Sequence, residues 1–205
     1  AEGSSNLHPL KLALEVQAAM GKDDWLVIDG GNTHFWSEIA INMAGWRGKK
    51  LKGILHPGSF SMLGVGVPFD LAAKLKHPKD NVVVISGDGA FLSGGLSIEA
   101  SFQEKAPITV VIDNNGGLTT ISQQQELLFG HNQHVATDFR DIPFHSMFEG
   151  LGGHGELVES QEQLQPALQR AFTCGKTACV NVRTQDDISP IVLATTNKRD
   201  KASIE

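Results

Sequence analysis

At 205 residues, with 40% hydrophobic and 20% charged side chains, the chain has the make-up of a folded soluble domain and is too apolar for intrinsic disorder. Seventeen basic against 23 acidic residues leave a net charge of −6, which argues against nucleic acid or an anionic membrane as the main partner. Cys174 and Cys179, the two cysteines, are too few for a disulfide framework or a four-thiolate metal site and fit a reducing, cytoplasmic setting. No apolar run approaches the roughly 18–20 residues that span a bilayer, and no basic-then-apolar leader opens the chain.

Residues 1–7 are expected to be a flexible lead-in, 8–185 one folded domain, and 186–205 a tail of short apolar and charged stretches. Pro9 at a first helical position, Leu10, Ala13 and Leu14 at helical spacing, and Gly21 as a stop predict the first helix. Trp25–Asp29 is a buried-strand run. Met62–Leu75 predicts a helix, Val82–Ser86 a strand, Ser97–Glu104 a helix and Ile108–Asp113 a strand. Ser160 with Gln163 makes a capping box before Leu164, Ala167, Leu168, Ala171 and Phe172, Gly175 closes that helix, and Ala178–Val182 is the last strand. Near-continuous apolar strands alternating with helices predict an α/β fold, a doubly wound, mostly parallel sheet flanked by helices.

Three of the four strand runs end alike. Asp29 is followed by Gly30-Gly31-Asn32, Ser86 by Gly87-Asp88-Gly89, and Asp113 by Asn114-Asn115-Gly116-Gly117. Ligands of doubly wound sheets collect at the carboxyl ends of strands. Any one such loop is also an ordinary turn. Three on one edge point to a phosphate-and-metal site, with peptide N–H groups for phosphate oxygens and Asp or Asn oxygens for a hard cation.

Gly87-Asp88-Gly89 followed by Asn114-Asn115, with Asn115 standing 27 positions after Asp88, resembles the two-part signature of thiamine-diphosphate-dependent enzymes. The resemblance runs from about His8 to Thr184 and is closest to the diphosphate-binding domain of the acetolactate synthase and 2-hydroxyacyl-CoA lyase group. It implies thiamine diphosphate and Mg²⁺ as cofactors. Asp88, Asn115 and the Gly117 carbonyl would be the metal ligands, an all-oxygen set of the kind magnesium prefers. Gly30, Gly31, Asn32, Thr33, Gly87, Gly89 and Ala90 would contact the diphosphate, and Leu118 and Thr119 would close over it. Leu63, in Met62-Leu63-Gly64-Val65-Gly66, matches the bulky wedge that bends the cofactor, here leucine where the group usually carries methionine. The run Asn32-Thr33-His34 lacks the Gln-His-Gln of acetolactate synthases. His34, in an expected cofactor-facing loop, is a candidate catalytic contact.

The implied chemistry is decarboxylation or carboligation of a small 2-oxo acid through an ylid and an enamine, with an acyl-CoA substrate as the variant for a 2-hydroxyacyl-CoA lyase or oxalyl-CoA decarboxylase. The activating glutamate of the family lies on a pyrimidine-binding domain. The chain has room for one such domain, so a partner domain or subunit, and hence a hetero-oligomer, is expected. A ferredoxin-linked oxidoreductase subunit would need iron–sulfur cysteines that two thiols cannot supply. A non-catalytic cofactor-binding module is the alternative of another class. Ser122–Gln125 and Phe129–Asp141 are expected to overhang the site. His131 and His134 have ligand spacing without a third partner and read as loop, His154 as turn, Cys174 and Cys179 as core filler, and Glu99 as facing solvent or a partner.

Overall fold

The computed structural model describes residues 7–195; the expected lead-in, Leu7 apart, and the second half of the expected tail fall outside them. In chain order the elements are α1 (Pro9–Ala19), β1 (Trp25–Asp29), α2 (Gly31–Trp46), β2 (Gly53–Leu55), α3 (Gly66–Lys76), β3 (Val82–Gly87), α4 (Asp88–Gly94), α5 (Glu99–Gln103), β4 (Thr109–Asn114), α6 (Thr119–Phe129), α7 (Phe144–Gly150), β5 (His154–Val158), α8 (Gln161–Thr173) and β6 (Ala178–Arg183). The strands form one sheet in the order β2-β1-β3-β4-β6-β5. Every neighbouring pair is parallel.

Side chains of a strand alternate between faces, and here both faces are covered. Leu26, Ile28, Val83, Ile85, Val111 and Val180 pack with α1, α2 and α8 through Leu12, Val16, Ala40, Leu164 and Leu168. Val27, Val84, Val110, Ile112 and Cys179 pack on the other face with Val67 of α3, Phe91 of α4, and Phe144 and Phe148 of α7. Sandwiching between two cores explains why the central strands are near-continuous apolar runs. The expected doubly wound α/β architecture is observed, and no helix among the described residues is long and apolar enough to cross a membrane.

The sequence pattern misses both edge strands. β2 has three residues and β5 opens His-Gly-Glu, so neither shows a β-branched run. His154 is therefore strand rather than turn, and its Nε2 lies 2.7 Å from Glu156 Oε1. The expected loop at 30–36 is helical from Gly31 onward. The buried stripe of α2 is Thr33, Ser37 and Ala40, so its period is carried by small polar residues and leaves no apolar signature. α3 starts at Gly66 rather than Met62, because Gly64 adopts φ 87° and breaks the helix ahead of it. At α8 the Ser160–Gln163 capping box forms as expected.

Residues 186–189 lie against α6. Gln123 Nε2 donates to Asp186 Oδ1 at 2.7 Å and to the Asp187 carbonyl at 3.0 Å, and Gln123 Oε1 accepts the Ser189 N–H at 2.8 Å. A helical turn over 190–195 follows, with Val192 buried.

Candidate functional site

β1 and β3 are neighbours in the sheet, yet the helices that follow them go to opposite faces, α2 with Ala40 into one core and α4 with Phe91 into the other. Divergence of this kind opens a crevice at the carboxyl ends of the two strands. A cavity of about 230 Å³ lies there. Gly30, Gly31, Asn32, Thr33, Leu63, Gly87, Asp88, Gly89, Ala90, Asn115, Gly117, Leu118 and Thr119 all line it. The structure thus gathers four chain segments, separated by up to about ninety positions, into one wall.

Glycine suits the packing at two of these places. Gly30 holds φ 112°, and a Cβ there would stand 3.1 Å from the Gly87 nitrogen. A Cβ on Gly89 would crowd Leu118 Cδ2, so glycine lets Leu118 of the loop after β4 pack directly on the turn after β3. The loops are then joined by hydrogen bonds. Asp88 Oδ1 accepts the Gly89 N–H at 2.6 Å, and Oδ2 accepts those of Gly116 and Gly117 at 2.9 and 3.0 Å. The Thr119 hydroxyl accepts from Asn115 Nδ2 at 3.1 Å and sits 3.5 Å from Asn32 Nδ2. Thr33 donates its hydroxyl to Asp113 Oδ2 at 2.8 Å. The Asp29 carboxylate accepts the N–H groups of Gly64 at 3.1 Å and Gly66 at 2.8 Å, which fixes the turn that presents Leu63.

The electrostatics of this wall favour a cation. Burial pushes the Asp88 carboxyl up to about 7, and the nearby Asp113 adds to the rise, against three backbone N–H bonds that lower it. Burial likewise raises Asp113 and Asp29 above the usual carboxylate range. Asn115 Oδ1 is buried and has no hydrogen-bond partner. A buried carboxylate in want of positive charge beside a buried amide oxygen in want of a donor suits a hard, oxygen-seeking ion. Asn32 Oδ1 and Thr120 Oγ1, both on the cavity wall, are also buried and unpartnered, leaving polar capacity for a bound group.

His34 does not line this cavity. Its Nε2 lies 3.0 Å from Glu38 Oε1 one turn along α2, and its ring lies 5.6 Å from that of His56. Ser122–Gln125 belong to α6. His134 is held between Glu126 Oε1 at 2.8 Å and Asp138 Oδ2 at 3.2 Å, an ion-paired bridge and not a metal set. Cys179 is buried and its thiol is pushed up by burial, in keeping with core filling; Cys174 is half-buried and Glu99 exposed. Ser61, Thr120 and Ile121 line the cavity without having been singled out. The last two follow directly on Leu118-Thr119 in the first turn of α6, whereas Ser61 arrives through a single 3₁₀ turn and carries no sequence signal.

Known proteins are similar to this chain in sequence. The family described as thiamine pyrophosphate enzyme, C-terminal TPP binding domain, matches residues 29–182. The chain is 35% identical over 185 residues to the acetolactate synthase large subunit of Mycobacterium tuberculosis, covering 89% of the chain and 32% of that protein. It is 29% identical over 189 residues to a catabolic acetolactate synthase of Raoultella terrigena, covering 91% and 32%. Against 2-hydroxyacyl-CoA lyase 2 of Bos taurus the figures are 31% over 173 residues, covering 82% and 26%. The chain spans about a third of the length of the acetolactate synthases it matches. With the match reaching from Asp29 at the end of β1 to Val182 in β6, and so taking in every loop of the cavity, the chain belongs to the thiamine pyrophosphate enzymes as their C-terminal, cofactor-binding domain.

Proposed function

We propose that this chain is the diphosphate-binding part of a thiamine-diphosphate- and Mg²⁺-dependent enzyme that breaks and forms carbon–carbon bonds of small 2-oxo acids, as an acetolactate synthase does. The observation that carries the reading is the shared cavity, where the thirteen residues singled out by the resemblance line one wall around Asp88 and the unpartnered Asn115 oxygen. When bound, thiamine diphosphate supplies a nucleophilic carbon and an electron sink for the substrate carbonyl.

The protein's part is binding and orientation. Asp88, Asn115 Oδ1 and the Gly117 carbonyl would hold Mg²⁺, whose charge would return the raised Asp88 carboxyl to its ionised form. The glycine turns at 30–31 and 87–89 let backbone approach the diphosphate closely. Leu63, fixed from below by Asp29, would set the bend of the group above it. Leu118, against Gly89, would exclude water from that side. The glutamate that activates the cofactor would come from a pyrimidine-binding domain, in the same polypeptide or in a second subunit of a hetero-oligomer. The two free thiols suit a cytoplasmic setting.

A second reading, cleavage of 2-hydroxyacyl-CoA, is favoured by the similarity to the bovine lyase. The deciding experiment supplies the chain with thiamine diphosphate, Mg²⁺ and a pyrimidine-binding partner, then follows the products from pyruvate and from a 2-hydroxyacyl-CoA. Acetolactate is the expected product. Turnover by the chain alone would remove the partner, and failure to bind thiamine diphosphate would remove the function.

A further inference from the structure

His34, Glu38 and His56 stand outside the cofactor cavity, so the catalytic contact expected of His34 is not made there. We propose that they form a second metal site, selective for a borderline transition-metal ion of the Zn²⁺ type and independent of the Asp88 site. Each offers one ligand atom, and the three atoms lie within 4.8 Å of one another, the group of this kind found among the described residues.

The local structure accounts for the convergence. His34 and Glu38 are four apart on α2 and so share one face of the helix, with Nε2 and Oε1 3.0 Å apart. β1 pairs in parallel with β2, which brings the residue just after β2, His56, alongside the start of α2. Tetrahedral Zn²⁺ with ligand bonds near 2.0–2.2 Å sets its ligand atoms about 3.4 Å apart. The His34–Glu38 pair at 3.0 Å is close to that spacing, and His56, within 4.8 Å of both, need close by at most about 1.4 Å. Its freedom to do so is local, since the residue is exposed and its ring is held by one 3.2 Å bond from the Gly58 N–H, at the surface where water replaces it.

Burial and surroundings fit a ligating role. The His34 side chain is 13% exposed and the Glu38 side chain 49%, so one ligand is anchored while two are reachable from solvent. Glu38 and His56 also line a separate cavity of about 400 Å³ with Ile41, Asn42 and Ile54. Three protein ligands with the fourth position opening on a cavity is the arrangement of a site that keeps an exchangeable water, not of a closed structural site. Donor chemistry separates the two sites. Two imidazoles and one carboxylate suit Zn²⁺, whereas the carboxylate, amide and carbonyl oxygens at Asp88, Asn115 and Gly117 suit Mg²⁺.

The test uses the full chain without a histidine tag, in excess Mg²⁺, titrated with Zn²⁺ by calorimetry and with Co²⁺ by visible absorption. A single Zn²⁺ equivalent is expected, with Co²⁺ giving the bands of a low-coordinate nitrogen and oxygen site. His56→Ala and Glu38→Gln are each expected to cut affinity by more than the roughly 100-fold that outer-shell changes reach, with thermal unfolding unchanged because both side chains are solvent-reachable. Asp88→Ala and His131→Ala should leave Zn²⁺ affinity intact. Absence of a Zn²⁺ equivalent, unchanged affinity in both His56→Ala and Glu38→Gln, or loss of it in Asp88→Ala would overturn the proposal and leave an ordinary surface ion pair.

Discussion

The Asp88 carboxylate accepts the Gly117 N–H at 3.0 Å, so the end of β3 is bonded directly to the loop that follows β4. One proposed metal ligand thereby positions another, and the raised carboxyl of Asp88 becomes a statement about both.

That relationship sets a pH dependence. Asp88 binds its proton up to about pH 7 in the folded chain, whereas the unfolded chain releases it near the ordinary carboxylate value. Without metal, Asp88 therefore stabilises the fold fully below that ordinary value, and its contribution is lost as pH rises towards 7. Mg²⁺ competes with the proton, so its affinity should rise by about tenfold per pH unit below 7 and level off above. Calorimetric titration across this range, with Asp88→Asn as control, checks it. A flat affinity profile would separate Asp88 from the metal.

Asp29 serves the site at one remove. Its carboxylate is nearly fully buried and accepts the N–H groups of Gly64 and Gly66, in the turn that links Leu63 to the start of α3. Asp29→Ala should cost ~1–3 kcal/mol, the penalty of leaving buried donors unpaired, and should also weaken thiamine diphosphate binding. Denaturant unfolding and cofactor titration measure the two effects separately. Lost stability with intact cofactor affinity would mean that the turn is not needed to place the wedge.

Leu63 itself is partly exposed, and the prediction there reverses the balance. Leu63→Ala should leave unfolding within about 1 kcal/mol of the parent, as for surface changes, while activity with the partner falls at least about tenfold through lost orientation. Leu63→Met, close in volume and apolar, should keep activity. Steady-state rates of the three proteins decide it, and equal loss in Met and Ala would show that shape, not bulk, matters.

Asp70 on α3 is fully buried, and neither carboxylate oxygen has a hydrogen-bond partner. Burial drives its carboxyl well above the usual range despite the charge of Lys74 one turn on. Held neutral in the fold and ionised when unfolded, it withdraws stability as pH rises above the ordinary carboxylate value. Asp70→Ala should raise stability at neutral pH by ~1–3 kcal/mol, with the gain shrinking in acid. Urea unfolding at neutral and acid pH gives the comparison, and a destabilised Ala variant would point to a partner for Asp70 in the assembled protein.

The chain by itself determined the central sheet and the contents of the site. β1, β3, β4 and β6 are legible because strands covered on both faces are near-continuously apolar, and the glycine, aspartate and asparagine at their ends are legible because the same turn chemistry recurs at three strand ends on one edge of the sheet. What only the tertiary structure decided is where pairing, and not composition, forms the element. β2 and β5 are strands because a neighbour supplies their hydrogen bonds. α2 is a helix whose buried stripe of Thr33, Ser37 and Ala40 has no apolar period to see. Through that helix and β2, the fold turns His34 away from the cofactor cavity and brings His56, twenty-two positions on, to the His34–Glu38 pair. The −6 charge and the 205 residues described a folded domain; the divergence of α2 and α4 from adjacent strands made it a site.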